Sequence, residues 1–279
     1  MEMGCSDQMF SHGAKRSWEE IQYPLSSVKV VGENSIYAAT LGKGVYRREA
    51  GFDWSQLNEG LPDATSVNRL ILQQDVLHAC TDHGLYYLKG DSWCSSDIAI
   101  PCFQYRRQGG CNLAATQYGI WENSGAGWSR LAMPNSVVYD ILLLPHYIIA
   151  AYDQGIALYD RYTDAWAEFP LDGAVTGLTV YGSRVLGITE QGELAVGNTR
   201  GGFEKYRFGS LFMFAVRTIG HDSFVCTDRG VYRICGFQGS IRLQSVQLGM
   251  PVTDVDFSGD RIHMATLFQG VQTVTNPVC

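Results

Sequence analysis

The chain has 279 residues, of which 46% are hydrophobic and 18% are charged, with a formal net charge of -7. This much apolar material can build a large core, and so small a charged fraction excludes intrinsic disorder. Because the chain is acidic and has no run of five or more Lys or Arg residues, nucleic acid is not an expected partner.

The first segment, MEMGCSDQMFSHGAKR, is polar and lacks the apolar core of a secretory signal. We expect residues 1–15 to form a flexible tail and residues 16–279 to form one domain. We expect no membrane span either, because the most apolar stretch, Val137–Ala151, is interrupted by Asp140 and Pro145.

Eight cysteines are spread along the chain. They form no CxxC pair, and no Cys and His residues have the spacing of a zinc site, so we expect no metal. Without a secretory signal, reduced thiols and a cytoplasmic location are the expectation. The sequence contains no phosphate-binding loop, dinucleotide-binding fingerprint or Ser-His-Asp order, and we expect no cofactor.

The segment ATLGKGVYRREAGFDWSQLNEGLP, at residues 39–62, is the first copy of a repeat. A strand of small residues ends at Thr40, and a turn ends at Gly44. A second strand follows, and Trp54 begins a further short segment. Glycine suits such a turn because it accepts positive φ without a Cβ clash. The pattern predicts a tight hairpin with another strand beyond it.

Copies of this pattern return about every 40 residues. In chain order the first strands end at Thr40, Thr81, Thr116, Tyr152, Thr189, Thr227 and Thr266, and the turns end at Gly44, Gly84, Gly119, Gly155, Gly192, Gly230 and Gly270. Short strands at regular spacing, without helical periodicity, indicate an all-β array. A period near 40 residues with four strands per unit is typical of propeller blades. The seven copies therefore predict a single seven-bladed β-propeller of four-stranded blades.

The two ends of the chain complement each other. After Thr266 only one more strand fits, and its Trp-led partner is missing. The N-terminal segment Ser17–Pro24 resembles the outer-strand segment Gly127–Pro134. We expect the N-terminal strand to complete the C-terminal blade, which would close the ring and remove two exposed sheet edges.

The segment GVYRREAGFDWSQLNEGLP resembles the repeats of Asp-box (BNR-like) propellers, within the larger group of WD40- and YVTN-type repeats. An Asp box reads Ser/Thr-x-Asp-x-Gly-x-Thr-Trp. Gly51 and Trp54 hold its Gly and Trp positions, as do Gly125 and Trp128, whereas its Ser and Asp positions carry other residues. The resemblance covers nearly the whole chain and implies a propeller. It carries no activity with it, because a sialidase-type arginine triad has no counterpart that we can assign.

Propellers usually bind ligands on one face, over the central channel. That face carries the turns that end in the repeated glycines, which lie between the second and third strands of each blade. It also carries the residues leading into the innermost strands. These positions differ between the copies, so we predict one asymmetric site with aromatic walls and few polar groups, as small-molecule pockets have. The predicted ligand-binding residues are Asn68, Phe103, Gln104, Tyr118, Tyr139, Thr176, Phe214, Arg229 and Thr253.

Two functions fit this pattern. The first is a binding or assembly module that presents this face to a protein or a small molecule. The alternative is a cofactor-independent enzyme of lyase, cyclase or isomerase type that acts on a small, partly apolar substrate. In it, Asp140 or Asp254 would be the general base, and Arg69 or His83 the electrophile or acid. A purely structural interpretation is that Arg69 pairs with a neighbouring Asp to satisfy a buried charge.

Overall fold

The computed structural model describes residues 21–237 and 240–276, and the regular elements there are all β-strands. The first three blades contain β1 (Leu25–Val31), β2 (Ser35–Thr40), β3 (Val45–Glu49) and β4 (Ser55–Gln56); β5 (Val67–Gln73), β6 (Val76–Thr81), β7 (Gly84–Lys89) and β8 (Ser92–Ser95); and β9 (Cys102–Gln108), β10 (Cys111–Thr116), β11 (Gly119–Asn123) and β12 (Trp128–Ala132).

The remaining strands form four more blades. These strands are β13 (Val138–Leu143), β14 (Tyr147–Tyr152), β15 (Gly155–Asp160) and β16 (Ala165–Pro170); β17 (Val175–Tyr181), β18 (Arg184–Thr189), β19 (Glu193–Gly197) and β20 (Phe203–Arg207); β21 (Met213–Ile219), β22 (Asp222–Thr227), β23 (Gly230–Phe237) and β24 (Ser240–Leu248); and β25 (Val252–Ser258), β26 (Arg261–Thr266) and β27 (Val271–Thr275). In the described part of the chain no helix is long and apolar enough to span a membrane.

Each blade is an antiparallel meander in which strands pair in chain order. The first strand of each blade lies innermost and packs against the first strands of the two neighbouring blades. The ring closes where β1 packs against β25. The prediction of an all-β, seven-bladed propeller is confirmed.

The described residues show how the seventh blade is completed beside its third strand, β27. Ile21 is buried and packs against Val271, and a Cβ placed on Gly270 would lie 3.5 Å from the Ile21 carbonyl oxygen. In the third blade the equivalent glycine, Gly119, faces the carbonyl of Ala132 at the end of the outer strand. Ile21 thus takes the place of an outer strand. Residues 17–20 of the predicted strand and the predicted tail, 1–15, lie outside the described residues.

The core consists of layers between consecutive blades. Between the third and fourth blades, for example, Leu113 and Ile120 pack against Val138, Ile141 and Ile148. The second strands contribute small side chains to these layers, including Ala38, Ala79, Ala114, Ala150 and Ala265. Small residues there allow two twisted sheets to approach closely, which explains the small-residue strand that opens every repeat.

The repeated Thr and Gly form one hydrogen-bonded turn. The Thr116 hydroxyl donates to the Gly119 carbonyl at 2.8 Å and accepts from the Tyr118 amide at 3.1 Å. The same hydroxyl-to-carbonyl bond recurs from Thr40, Thr81, Thr227 and Thr266. Gly119 has φ +89°, and a Cβ there would lie 2.3 Å from the Ala132 carbonyl oxygen, so only glycine fits.

Candidate functional site

One face of the ring, which we call the turn face, carries the turns between second and third strands and the residues leading into the innermost strands. A backbone hydrogen bond joins these two features in every blade. The donors and acceptors are Leu41 to Pro24, Asp82 to Ser66, Gln117 to Pro101, Asp153 to Val137, Glu190 to Ala174, Asp228 to Phe212 and Leu267 to Pro251. Because these backbone groups are already paired, side chains carry the recognition properties of the turn face.

Two pairs of aromatic side chains lie on the turn face. Phe103 and Tyr139 are half-buried, and their rings lie 5.4 Å apart. The rings of Phe212 and Phe214 lie 5.0 Å apart. The exposed apolar side chains on this face are Tyr23, Leu41, Tyr118, Phe212, Leu248 and Phe268. The predicted aromatic residues therefore do lie on one face, around the mouth of the channel.

The predicted polar ligand-binding residues bond to nearby groups of the protein. Asn68 donates to the Cys102 carbonyl at 2.8 Å, and Thr253 donates to the Leu25 carbonyl at 2.8 Å. Thr176 donates to Ile188, and Arg229 donates to Ser210. The bonds of Asn68 and Thr253 connect neighbouring blades, that of Thr176 joins two strands of one blade, and that of Arg229 fixes a turn. The role of the four residues in ligand binding stays a prediction.

Asp140 lies below the mouth and is fully buried. Its carboxylate accepts from Gln104 Nε2 at 2.7 Å and from the Leu178 amide at 3.0 Å. Arg69 Nη1 lies 3.0 Å from Oδ2 in an ion pair, although its angles do not make a hydrogen bond. This is the pairing that the structural interpretation of Arg69 predicts.

The pKa of Asp140 is set by opposing effects. Burial raises it, but the guanidinium groups of Arg69, Arg106 and Arg217 and the bond from Gln104 lower it, and the net pKa lies below the usual value. Asp140 is therefore an ionised acceptor at neutral pH. As a general base it would have to break several of its bonds first.

Asp254 forms a second buried pair. Arg217 Nε lies 2.8 Å from Oδ1, and the hydroxyl of Ser27 donates to Oδ2 at 2.5 Å. Ser27 in turn accepts from the Leu70 amide at 3.2 Å. Burial lowers the pKa of Arg217, but Asp254 and Asp140 raise it by more. Residues of all seven innermost strands thus join the polar groups around Asp140 and Asp254, which we call the channel network.

His83 does not join this network. It is exposed in the turn between β6 and β7, and its Nδ1 lies 2.8 Å from Asp82 Oδ1. The structure therefore brings Arg69 together with Asp140, places Asp254 in a separate pair and leaves His83 on the turn face. The catalytic roles assigned to these four residues stay predictions.

A cavity of about 190 Å³ lies in the channel on the side away from the turn face. The fifth residue of every innermost strand lines it: Lys29, Ile71, Arg106, Leu142, Thr179, Arg217 and Asp256. Sequence reasoning missed these residues because it stopped at the third position. Side chains two apart on a strand point the same way, so the position two residues onward would have revealed them.

A larger groove of about 720 Å³ lies between the first and seventh blades, beside β27 and Ile21. Arg48, Trp54 and His263 line it. Ile21, the first described residue, also lines it, and we assign no ligand to this groove. Elsewhere in the described ranges, no three His, Cys, Asp or Glu side chains gather as a metal site would require.

No protein-family model and no curated protein matches the sequence. Among solved structures, the chain is similar to the extracellular domain of BT4673 from B. thetaiotaomicron, with a TM-score of 0.75 and 16% identity. That similarity covers 91% of this chain and 38% of the other, so the chain spans less than half of that domain's length.

Two other similar structures match over nearly their whole length. The WD40 β-propeller domain of Doa1 has a TM-score of 0.71 and 12% identity, with 92% of this chain and 93% of the other covered. YCF48, solved bound to D1 peptide, has a TM-score of 0.65 and 15% identity, with 94% and 96% covered. At these identities the similarities show the fold alone: a seven-bladed β-propeller.

Proposed function

We propose that this chain is a protein-binding module whose turn face captures a partner protein. The observation that carries the proposal is the group of exposed apolar side chains around the mouth of the channel, where Phe268 is 76% exposed and Leu41 and Tyr118 are each nearly half exposed. A group of exposed apolar side chains on one face of a protein is a candidate interface.

The form of the turn face suits a protein better than a small molecule. The described cavity in the channel lies on the other side of the channel network, and the aromatic residues of the turn face do not line it. One backbone amide of each turn is paired with the segment that leads into the innermost strand, and we propose that side chains make most of the contacts with a partner. Burying one such aromatic side chain contributes about 1.5–3 kcal/mol, and a few central aromatics usually dominate an interface.

Two similar structures are consistent with this proposal. The YCF48 propeller was solved with a bound peptide, and another propeller of similar fold belongs to the mitotic checkpoint complex. For this chain we propose one asymmetric binding area, since the turn positions Lys43, His83, Tyr118 and Arg229 differ from blade to blade. Identical blades would instead offer repeated sites.

The test is site-specific crosslinking in the native cells. In one variant p-benzoylphenylalanine replaces Phe268, and in the other it replaces Tyr162, which is equally exposed but lies in the turn between β15 and β16 on the opposite face. A crosslinked protein is expected from position 268 and not from position 162. The identified partner is then purified and its affinity measured.

The affinity measurement separates an interface from a chance encounter. Phe268→Ala and Tyr118→Ala are expected to weaken the complex about tenfold or more, because truncating a central aromatic removes a large share of binding energy. Tyr162→Ala is the matched control and should bind like the wild type. Crosslinking from position 162 alone, or full affinity in Phe268→Ala, would exclude the turn face.

The enzyme hypothesis stays a prediction, and the described residues favour the binding module over it. Asp140 and Asp254 are held by arginine and hydrogen-bond donors in the channel network, whereas an active base needs a free lone pair facing substrate. The resemblance to Asp-box repeats, a small-molecule ligand on the turn face and a cytoplasmic location stay predictions.

A further inference from the structure

We propose that the channel cavity is a binding site for a small oxyanion, a carboxylate or phosphate group, with Arg106 as its main ligand. The site is separate from the turn face and does not depend on the proposed protein partner. Four cationic side chains from four different blades line the cavity: Lys29, Arg69, Arg106 and Arg217.

Three of these cations have a carboxylate of their own. Lys29 Nζ lies 3.1 Å from Asp256, and Arg217 Nε lies 2.8 Å from Asp254. Arg69 Nη1 lies 3.0 Å from Asp140. The local sum is four positive charges against three negative charges, which leaves one positive charge in excess.

Arg106 carries that excess. Its Nη2 lies 4.0 Å from Asp140 Oδ1, a carboxylate that Arg69 and Gln104 already occupy. Its Nε donates to the Ile141 carbonyl at 3.1 Å, which fixes the guanidinium at the cavity wall. Arg106 lines the cavity, and among the described residues neither of its terminal nitrogens donates a hydrogen bond. A planar guanidinium with free N–H groups matches the two oxygens of a carboxylate or phosphate.

Two further observations support an anion site. Burial lowers the pKa of Arg106, Asp140 opposes this, and the charges of Arg69 and Arg217 lower it further, so the net pKa lies below the usual value. The buried Nη1 of Arg69, another lining residue, lies 3.0 Å from the Asp140 carboxylate but makes no hydrogen bond with it. An oxyanion between Arg106 and Arg69 would supply both the compensating charge and the acceptor.

The size of the cavity sets the class of ligand. About 190 Å³ corresponds to roughly six water molecules at their share of liquid volume. Inorganic phosphate or a short carboxylic acid fits this space. Asp254 and Asp256 also line the cavity, but their charges are matched by Arg217 and Lys29, so they do not cancel the excess at Arg106.

The test is calorimetric titration with inorganic phosphate and, separately, with acetate, at constant ionic strength. Saturable binding of one or both is expected for the wild type. In Arg106→Gln the affinity is expected to fall about tenfold or more, because a charge-assisted contact is lost. Arg107→Gln makes the same change of charge on the next residue, which is exposed, and should leave binding unchanged.

Each outcome of the titrations has a defined meaning. Binding of phosphate but not acetate assigns a phosphate group, and the reverse assigns a carboxylate. Equal binding by wild type and Arg106→Gln, or no saturable binding of either probe, overturns the site. Arg106→Lys retains the charge and guards against misfolding of the glutamine variant, and it should bind weakly. Phe268→Ala should bind the anion normally, which keeps this outcome separate from that of the turn face.

Discussion

Asp140 is held ionised by its surroundings, and removing its charge should lower the free energy of unfolding. In Asp140→Asn the guanidinium of Arg69 would stay buried without its carboxylate. Breaking a buried pair from one side costs about 3–5 kcal/mol. We expect urea unfolding of this variant to show that loss, while Asp63→Asn, an exposed control, changes stability by less than about 0.5 kcal/mol.

The pH dependence of stability provides a second measurement on the same variant. Because the folded pKa of Asp140 is depressed, its stabilisation is complete above the unfolded pKa of about 4 and is lost as the pH falls through the lower folded pKa. The wild type should therefore lose stability in acid more steeply than Asp140→Asn. If the stability of the two proteins falls in parallel as the pH is lowered, Asp140 does not contribute to the pH dependence of stability.

At the scale of single residues, sequence reasoning reached part of the channel. The repeat register placed Arg69, Gln104, Asp140 and Asp254 at one level of the innermost strands, and the structure joins them in the channel network. Which arginine pairs with which aspartate depends on the spatial order of the blades and on side-chain reach, and neither is encoded in the register. The surplus charge on Arg106 emerges only from that pairing.

The turn that follows each second strand is the most regular feature of the repeat. Two constraints select glycine at its last position: a positive φ and the close approach of a carbonyl oxygen. Gly119 and Gly110 have nearly equal φ, +89° and +85°, but a Cβ on Gly119 would lie 2.3 Å from a carbonyl oxygen, whereas Gly110 has nothing within 4 Å. We expect Gly110→Ala to cost about 1–2 kcal/mol in backbone strain. Gly119→Ala should cost roughly 3–5 kcal/mol, because overpacking against the backbone adds to the strain.

Chemical unfolding of the two glycine variants measures this difference, and both positions lie in the same blade. A similar loss in both would mean that positive φ alone explains the repeated glycine. A larger loss at Gly119 would mean that the outer strand presses on the turn, as Ala132 does in the structure.

At the scale of elements, the inner three strands of each blade were predictable and the outer strands less so. Inner strands alternate or run apolar between turns, and their Thr and Gly endings repeat. Outer strands are mostly exposed, as in Ala165–Pro170, so burial leaves little pattern in their sequence. The outer strands also vary from two residues in β4 to nine in β24. Trp marked several of them because its indole packs between blades; that of Trp93 is buried and donates to the Leu57 carbonyl.

For the molecule as a whole, the seam between the first and seventh blades differs from the other six junctions. Every other pair of neighbouring blades is joined directly by the chain, whereas this pair comes from its two ends. Side chains of β25 bridge the seam: Asp254 accepts from Ser27, and Asp256 accepts from the Val30 amide at 2.8 Å and pairs with Lys29. Thr253 adds a bond to the Leu25 carbonyl. Aspartates in β25 therefore stabilise the closed ring.

Local opening should consequently begin at this seam when its aspartates are removed. In Asp256→Ala the Val30 amide and the Lys29 ammonium lose their acceptor, so β1, β25 and β26 should exchange their amide hydrogens faster, by a factor of about ten for each 1.4 kcal/mol lost. Strands on the far side of the ring, such as β13 and β14, should keep their protection. In Asp140→Asn, β13 and β14 should exchange faster while β1 and β25 keep their protection, because the partners of Asp140 lie in the middle blades. Hydrogen exchange read by mass spectrometry resolves these segments. Uniform acceleration in both variants would mean that the ring opens as one unit and that its seam is no weaker than its other junctions.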